Sequence, residues 1–129
     1  MTPSQLDHLN RIKTHLENLL ANAEKRTPGE WFSDISEYST AVILEHDLGR
    51  PIVTMNPIAV MDKNKGHDAA FIASCAGNAE AGWRSALAAI TAAQRYIERS
   101  QSIGDHCGIE CANGVINSIL TAWPIEKLP

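Results

Sequence analysis

The chain has 129 residues, 44% of them hydrophobic and 20% charged, with a formal net charge of −4. That is the composition of an ordinary globular domain, long enough to bury about two thirds of the unfolded chain's surface without disulfides or metal as staples. The mild acidity and the scattered lysines and arginines argue against a nucleic-acid duplex as the main ligand, and the acidity is too weak for mimicry of nucleic acid.

Residues 3–25 read as an amphipathic helix, because Leu6, Leu9, Ile12, Leu16, Leu19, Leu20 and Ala23 recur at threes and fours. Thr2 stands at the capping position, Pro3 suits the first helical position, and Gln5 is placed to reach back as in a capping box. Pro28 and Gly29 forbid continuation and form a turn in Thr27-Pro28-Gly29-Glu30-Trp31. Trp31 then serves either as an anchor at one end of a sheet or as a ligand-stacking face.

From Trp31 to Met61 the pattern turns to β. Thr40–Leu44 is β-branched, and a second run, Pro51–Met55, follows the turn-like Asp47-Leu48-Gly49-Arg50, which predicts a hairpin around Gly49. Pro57 ends that second run or holds it at an edge. Trp31–Ile35 and Ile58–Met61 are further strand segments, so the expected sheet has two to four antiparallel strands.

After the polar loop Lys63-Asn64-Lys65-Gly66, a helix opens at His67 or Asp68 and runs through Cys75, with Phe71, Ile72 and Cys75 on one face. Gly77-Asn78 predicts a break, since both residues tolerate left-handed backbone. A long alanine-rich helix follows over 79–100, with Trp83, Leu87, Ile90 and Ile97 inward and Arg84, Gln94, Arg95 and Arg99 outward. A loop at Ile103-Gly104-Asp105 leads to a last helix with Ile109, Ala112, Ile116, Ile119, Leu120 and Trp123 on one face, ended by Pro124. Gly114 inside it predicts a close backbone contact or a bend. The fold class expected is α+β in one domain over 1–129, a small sheet covered by helices in the order α-β-β-(β)-α-α-α.

Two stretches, Thr27–Trp31 and the segment from His67 to Asn78, together resemble small proteins of bacteriophages and prophages, loosely the Ead-like accessory group. That group carries a T-P-G-P-W turn and an A-A-F-I-A-A-A-R-N-like helix start. The resemblance covers about residues 13–98. Glu30 stands where the group has its second proline and Gly77 where it has arginine, so the roles of those two side chains do not carry over. The resemblance implies work in the contest between phage and bacterium.

Constellations for chemistry are sparse. Gly77–Gly82 has the two-glycine spacing of a P-loop, but Trp83-Arg84 replaces the lysine and hydroxyl that phosphate and magnesium need. A helix start after Asn78 offers N–H groups to an anion, with Arg84 near. His106, Cys107 and Cys111, with Cys75 as a further donor, form a loose zinc-like set, against which stands their reading as small buried residues. No nucleophile elbow and no catalytic His–carboxylate spacing is visible.

Three cysteines, an odd number, fit a reducing cytosol. The N-terminal residues lack a signal-peptide pattern, and no run of about eighteen apolar residues exists. The expectation is therefore a cytoplasmic protein of the bacterial host cell, without cofactor, that binds and neutralises an anti-phage defence component without acting as an enzyme. The target is either a host protein or a small nucleotide signal, with Trp31, Arg50, Trp83 and Arg84 as binding residues. Self-association as a homo-oligomer, most simply a homodimer, is expected from the leucine-rich first helix and the alanine-rich faces. The alternatives are an enzyme that degrades a nucleotide signal and a small metal-binding regulator.

Overall fold

The computed structural model describes residues 1–35, 40–51 and 54–129. The elements are α1 (Pro3–Glu24), β1 (Trp31–Ile35), β2 (Thr40–Leu44), β3 (Ala59–Met61), α2 (Gly66–Ile103) and α3 (His106–Ala122), with 3-10 turns at Glu45–Asp47 and Ile125–Lys127. The three strands form one antiparallel sheet in the order β1-β2-β3, so the protein is α+β. Two compact units divide the chain: a helical unit of residues 1–22 and 82–129, and a sheet unit of residues 23–81. The boundary at 81/82 falls within α2. No helix among the described residues is long and apolar enough to cross a membrane.

In the helical unit, α1 starts with the reciprocal cap that its spacing predicts. The Thr2 N–H donates to Gln5 Oε1 at 2.9 Å, and the Gln5 N–H donates to Thr2 Oγ1 at 3.1 Å. Leu9, Ile12 and Leu16 of α1 are fully buried against Ile90, Ala93 and Ile97 of α2 and Ala112 and Ile116 of α3. These residues are the inward stripes of three amphipathic helices, each of which hides its apolar face in the other two. The His8 ring nitrogen Nε2 lies 2.7 Å from the Trp123 carbonyl, and His15 meets the Trp123 ring edge-on at 5.6 Å. Both histidines of α1 thus hold the end of α3.

Gly104, at φ 73°, turns the chain between α2 and α3. Asp105 caps α3 by accepting from the Gly108 N–H at 3.0 Å. The glycine that allows a close approach is Gly108, not Gly114. A Cβ on Gly108 would stand 2.5 Å from Asp105 Oδ2, 2.7 Å from Ser100 Oγ and 2.8 Å from the Tyr96 ring, whereas Gly114 has open space around it. The substitutions should therefore differ in sign. Gly108→Ala is expected to destabilise by about 1–3 kcal/mol through overpacking. Gly114→Ala is expected to stabilise by up to about 1 kcal/mol through helix propensity. Chemical denaturation of the two variants checks both, and equal effects would show that the Asp105–Ser100–Tyr96 contact is not tight.

In the sheet unit, Trp31 faces Leu44, Ser33 faces Val42 and Ile35 faces Thr40 across the β1–β2 pair, while Thr40 faces Met61 and Val42 faces Ala59 across β2–β3. These partners share one face of the sheet. On it Val42 packs with Ala69 and Ala73 of α2, flanked by Trp31, Ile58, Ala59, Met61 and Ile72. Of the face shared by Phe71, Ile72 and Cys75, Ile72 packs on this cluster but Phe71 does not. Phe71 is 69% exposed, and the alanines one turn apart, Ala69 and Ala73, are the buried ones. Small side chains there let the helix lie close to the strands.

Among the described residues the hairpin expected around Gly49 is not present. β2 pairs instead with β1 and β3, the two segments read as further strands. Of the predicted run Pro51–Met55, Ile52 and Val53 lie outside the described residues, while Pro51, Thr54 and Met55 are not in a strand. Both edges of β2 are taken by β1 and β3, and Asp47 organises the loop that follows. Its buried carboxylate accepts the Asn56 N–H at 3.2 Å, and successive turns follow through Leu48 N–H to Glu45, Arg50 N–H to Asp47 and Thr54 N–H to Pro51. Side-chain capture of a neighbouring backbone amide offers this segment an alternative to ladder pairing. The ladder resumes where the Ile58 N–H donates to the Val42 carbonyl at 2.8 Å. Within α2 the expected break is present, with Ala76 at ψ 126° and Gly77 at φ 81°.

Candidate functional site

Arg26, not singled out by the sequence, organises the turn that carries the phage-type motif. Its Nη1 donates to the Thr27 carbonyl at 2.9 Å and the Gly29 carbonyl at 3.1 Å, while its Nε donates to Glu80. The guanidinium lies 5.4 Å from the Trp31 ring centroid, and the Trp31 indole N–H donates to Thr27 at 3.0 Å. One planar cation thus satisfies two turn carbonyls, a carboxylate and an aromatic face, which suits arginine and not lysine. Trp31 is half-buried and packs on the sheet core, so its surroundings account for its anchoring role.

Beside this turn lies a cleft of about 340 Å³ lined by Pro28, Gly29, Glu30, Leu44, Glu45 and His46. Two exposed carboxylates and an imidazole border it. His46 Nε2 lies 3.7 Å from Asp47 Oδ1, and Arg50 Nη1 lies 3.5 Å from the same oxygen. Asp47 is 1% exposed and therefore needs these partners and the Asn56 amide. Arg50, an expected binding residue, is half-exposed and borders that carboxylate. Asp47 was also missed from the sequence, although an aspartate opening a turn-rich loop is the usual position for such capture.

The remaining expected residues stand in the helical unit. Trp83 is half-buried against the core, and Arg84 is exposed on α2, lining a shallow depression with Leu87, Ala88, Thr91, Ala92 and Arg95. His106, Cys107 and Cys111 lie on the first turns of α3 and all three are exposed, which corrects the reading of the two cysteines as small buried residues. Among the described residues no three His, Cys, Asp or Glu side chains converge as a metal-binding set.

A second concavity, about 400 Å³, runs between α2 and α3. Ala89, Ala92, Ala93 and Tyr96 form one wall, and Cys111, Ala112 and Val115 form the other. Tyr96 and Val115 are each nearly half exposed. Inward-facing Ala93 and Ala112 lie at its floor, so the groove follows from small residues at the α2–α3 packing seam.

No protein-family model, curated protein or solved structure matches this chain.

Proposed function

We propose that the chain is a binding protein of the phage-accessory kind, which acts in the bacterial cytoplasm by occupying a host defence component without altering it chemically. The observation that supports this reading best is the apolar groove between α2 and α3, continuous through Ala92 with the arginine-bordered depression on α2. An apolar concavity beside exposed arginines is the composition of a protein-binding surface. A host protein fits it better than a small nucleotide, which needs several convergent polar groups. Of the two grounds for a homodimer, the α1 stripe is consumed by the helical core through Leu9, Ile12 and Leu16, which leaves only the alanine-rich helix faces as a ground for it.

The test is phage plating on a bacterium with an active antiviral system. Expression of the protein should raise plating efficiency, and the Arg95→Ala/Arg99→Ala double variant should lose that effect at an unchanged melting temperature. Unaltered plating with the natural protein would sink the reading.

The cleft bordered by Glu30, Glu45 and His46, with Asp47 behind the imidazole, favours a second reading as an enzyme on a small nucleotide signal, since it gathers acid–base groups in one concavity. Under that reading purified protein converts a cyclic dinucleotide to a new species and His46→Ala does not. Recovery of the dinucleotide unchanged would exclude it for that substrate.

A further inference from the structure

We infer that the groove between α2 and α3 receives an amphipathic α-helix of another protein, with that helix's apolar stripe against the groove and its carboxylates against Arg95 and Arg99. This rests on the binding reading above and names the chemistry of the partner. Two observations carry it.

The first is shape. α2 and α3 are joined by the short Gly104–Asp105 turn and share one core, so the groove lies between two consecutive helices. Its walls are Ala89 and Ala92 on one side and Cys111 on the other, with Tyr96 and Val115 as the larger apolar contacts. Small walls let a third helix approach at the close end of the usual 8–10 Å interaxial range. A helix laid into an apolar groove is a recurring mode of peptide recognition.

The second is charge. Arg95 and Arg99 are exposed, one helical turn apart, and neither enters a hydrogen bond or ion pair among the described residues. Arg95 shares the depression beside the groove with Ala92. From Gly82 to Ile97, α2 carries arginines and no acidic residue, in a chain whose net charge is −4. Glu98 lines a recess with Met1–Pro3, Leu6, Gln94 and Ile97, away from the groove wall. On α3 the one acidic residue, Glu110, is exposed and is not a wall residue. The rim on the α2 side is therefore cationic, and a helix with glutamates or aspartates beside its apolar stripe complements it.

The experiment uses the full chain and two synthetic amphipathic peptides with the same leucine–alanine stripe, one flanked by glutamates and its twin by lysines. Fluorescence anisotropy should show the glutamate peptide binding at least ~10-fold more tightly, with the preference shrinking as salt rises. Arg95→Glu/Arg99→Glu should reverse the preference, and Ala92→Trp, at an exposed position, should block both peptides. Equal affinity for the twins, no binding of either, or displacement of the acidic peptide by a cyclic dinucleotide would overturn the inference. So would a dimer in sedimentation that Ala92→Trp dissociates, since the groove would then belong to a second copy. Peptide discrimination without any effect on phage plating would sink the anti-defence reading and leave the groove assigned. An effect on plating without discrimination would do the reverse.

Discussion

Ile90→Ala is expected to cost about 2–5 kcal/mol, the range for removing a large aliphatic side chain from a fully packed core. Ile90 is 0% exposed and sits with Leu9, Ile12 and Leu16 of α1 and Ala112 and Ile116 of α3. Alanines already occupy several neighbouring positions, so little side-chain volume is available to collapse into the space left behind. The cavity term therefore adds to the lost transfer energy, and the expected effect lies in the upper part of the range. Leu87, one turn away, is only half-buried, so Leu87→Ala should cost clearly less. Trp83 and Trp123 both pack on this core, so in a Trp31→Phe background their fluorescence follows unfolding of the helical unit. An Ile90→Ala loss below about 0.5 kcal/mol, the scale of a surface change, would show that the core face of α2 is misplaced.

The contrast between Ile90 and Leu87 also shows which kind of feature a sequence displays. The α1 cap, the α1 stripe and the break at Gly77 depend on residues within one or two turns of each other, and all are visible as spacing. Strand pairing is a choice among partners. Pro51–Met55 looked like the partner of Thr40–Leu44 because it is near and apolar, yet β2 takes its neighbours from 31–35 and 59–61. The loop between β2 and β3 is held by the buried Asp47 carboxylate on the Asn56 amide, an interaction that leaves no periodic mark.

The two helical-tail glycines illustrate the same limit. Gly108 and Gly114 are alike as letters on α3, and only the first is backed by Ser100 and Tyr96 from α2. For the candidate site, Arg84 was legible as an outward cation. The groove beside it was not, because its second wall comes from α3. The cleft at Glu30 and His46 was hidden likewise, since those residues stand apart in sequence and meet where β1 and β2 pair.

Arg26→Ala should have the largest effect of any single change in the sheet unit outside its apolar core, about 2 kcal/mol. The substitution removes the guanidinium from Glu80, whose side chain is 13% exposed and keeps a further partner, and takes away the donor for the Thr27 and Gly29 carbonyls. It also uncovers the Trp31 ring on the side where the cation lies. The Arg26 side chain is itself 23% exposed, so water offsets part of the loss and the figure stays below that for a fully buried pair. Arg26→Lys is the decisive companion. A lysine keeps the charge but has no planar fork, so it cannot serve Glu80 and both carbonyls while lying over the indole. It should recover less than half of the loss. Trp31→Phe should cost less than Arg26→Ala, because the ring's packing survives and only the indole hydrogen bond to Thr27 is lost. Hydrogen exchange localises the effect: amides of residues 29–35 should lose protection in Arg26→Ala, since the turn that delivers the chain into β1 is no longer held. Full rescue by lysine would show that charge alone matters there, and the turn would then owe its shape to Pro28 and to Gly29 at φ 107°.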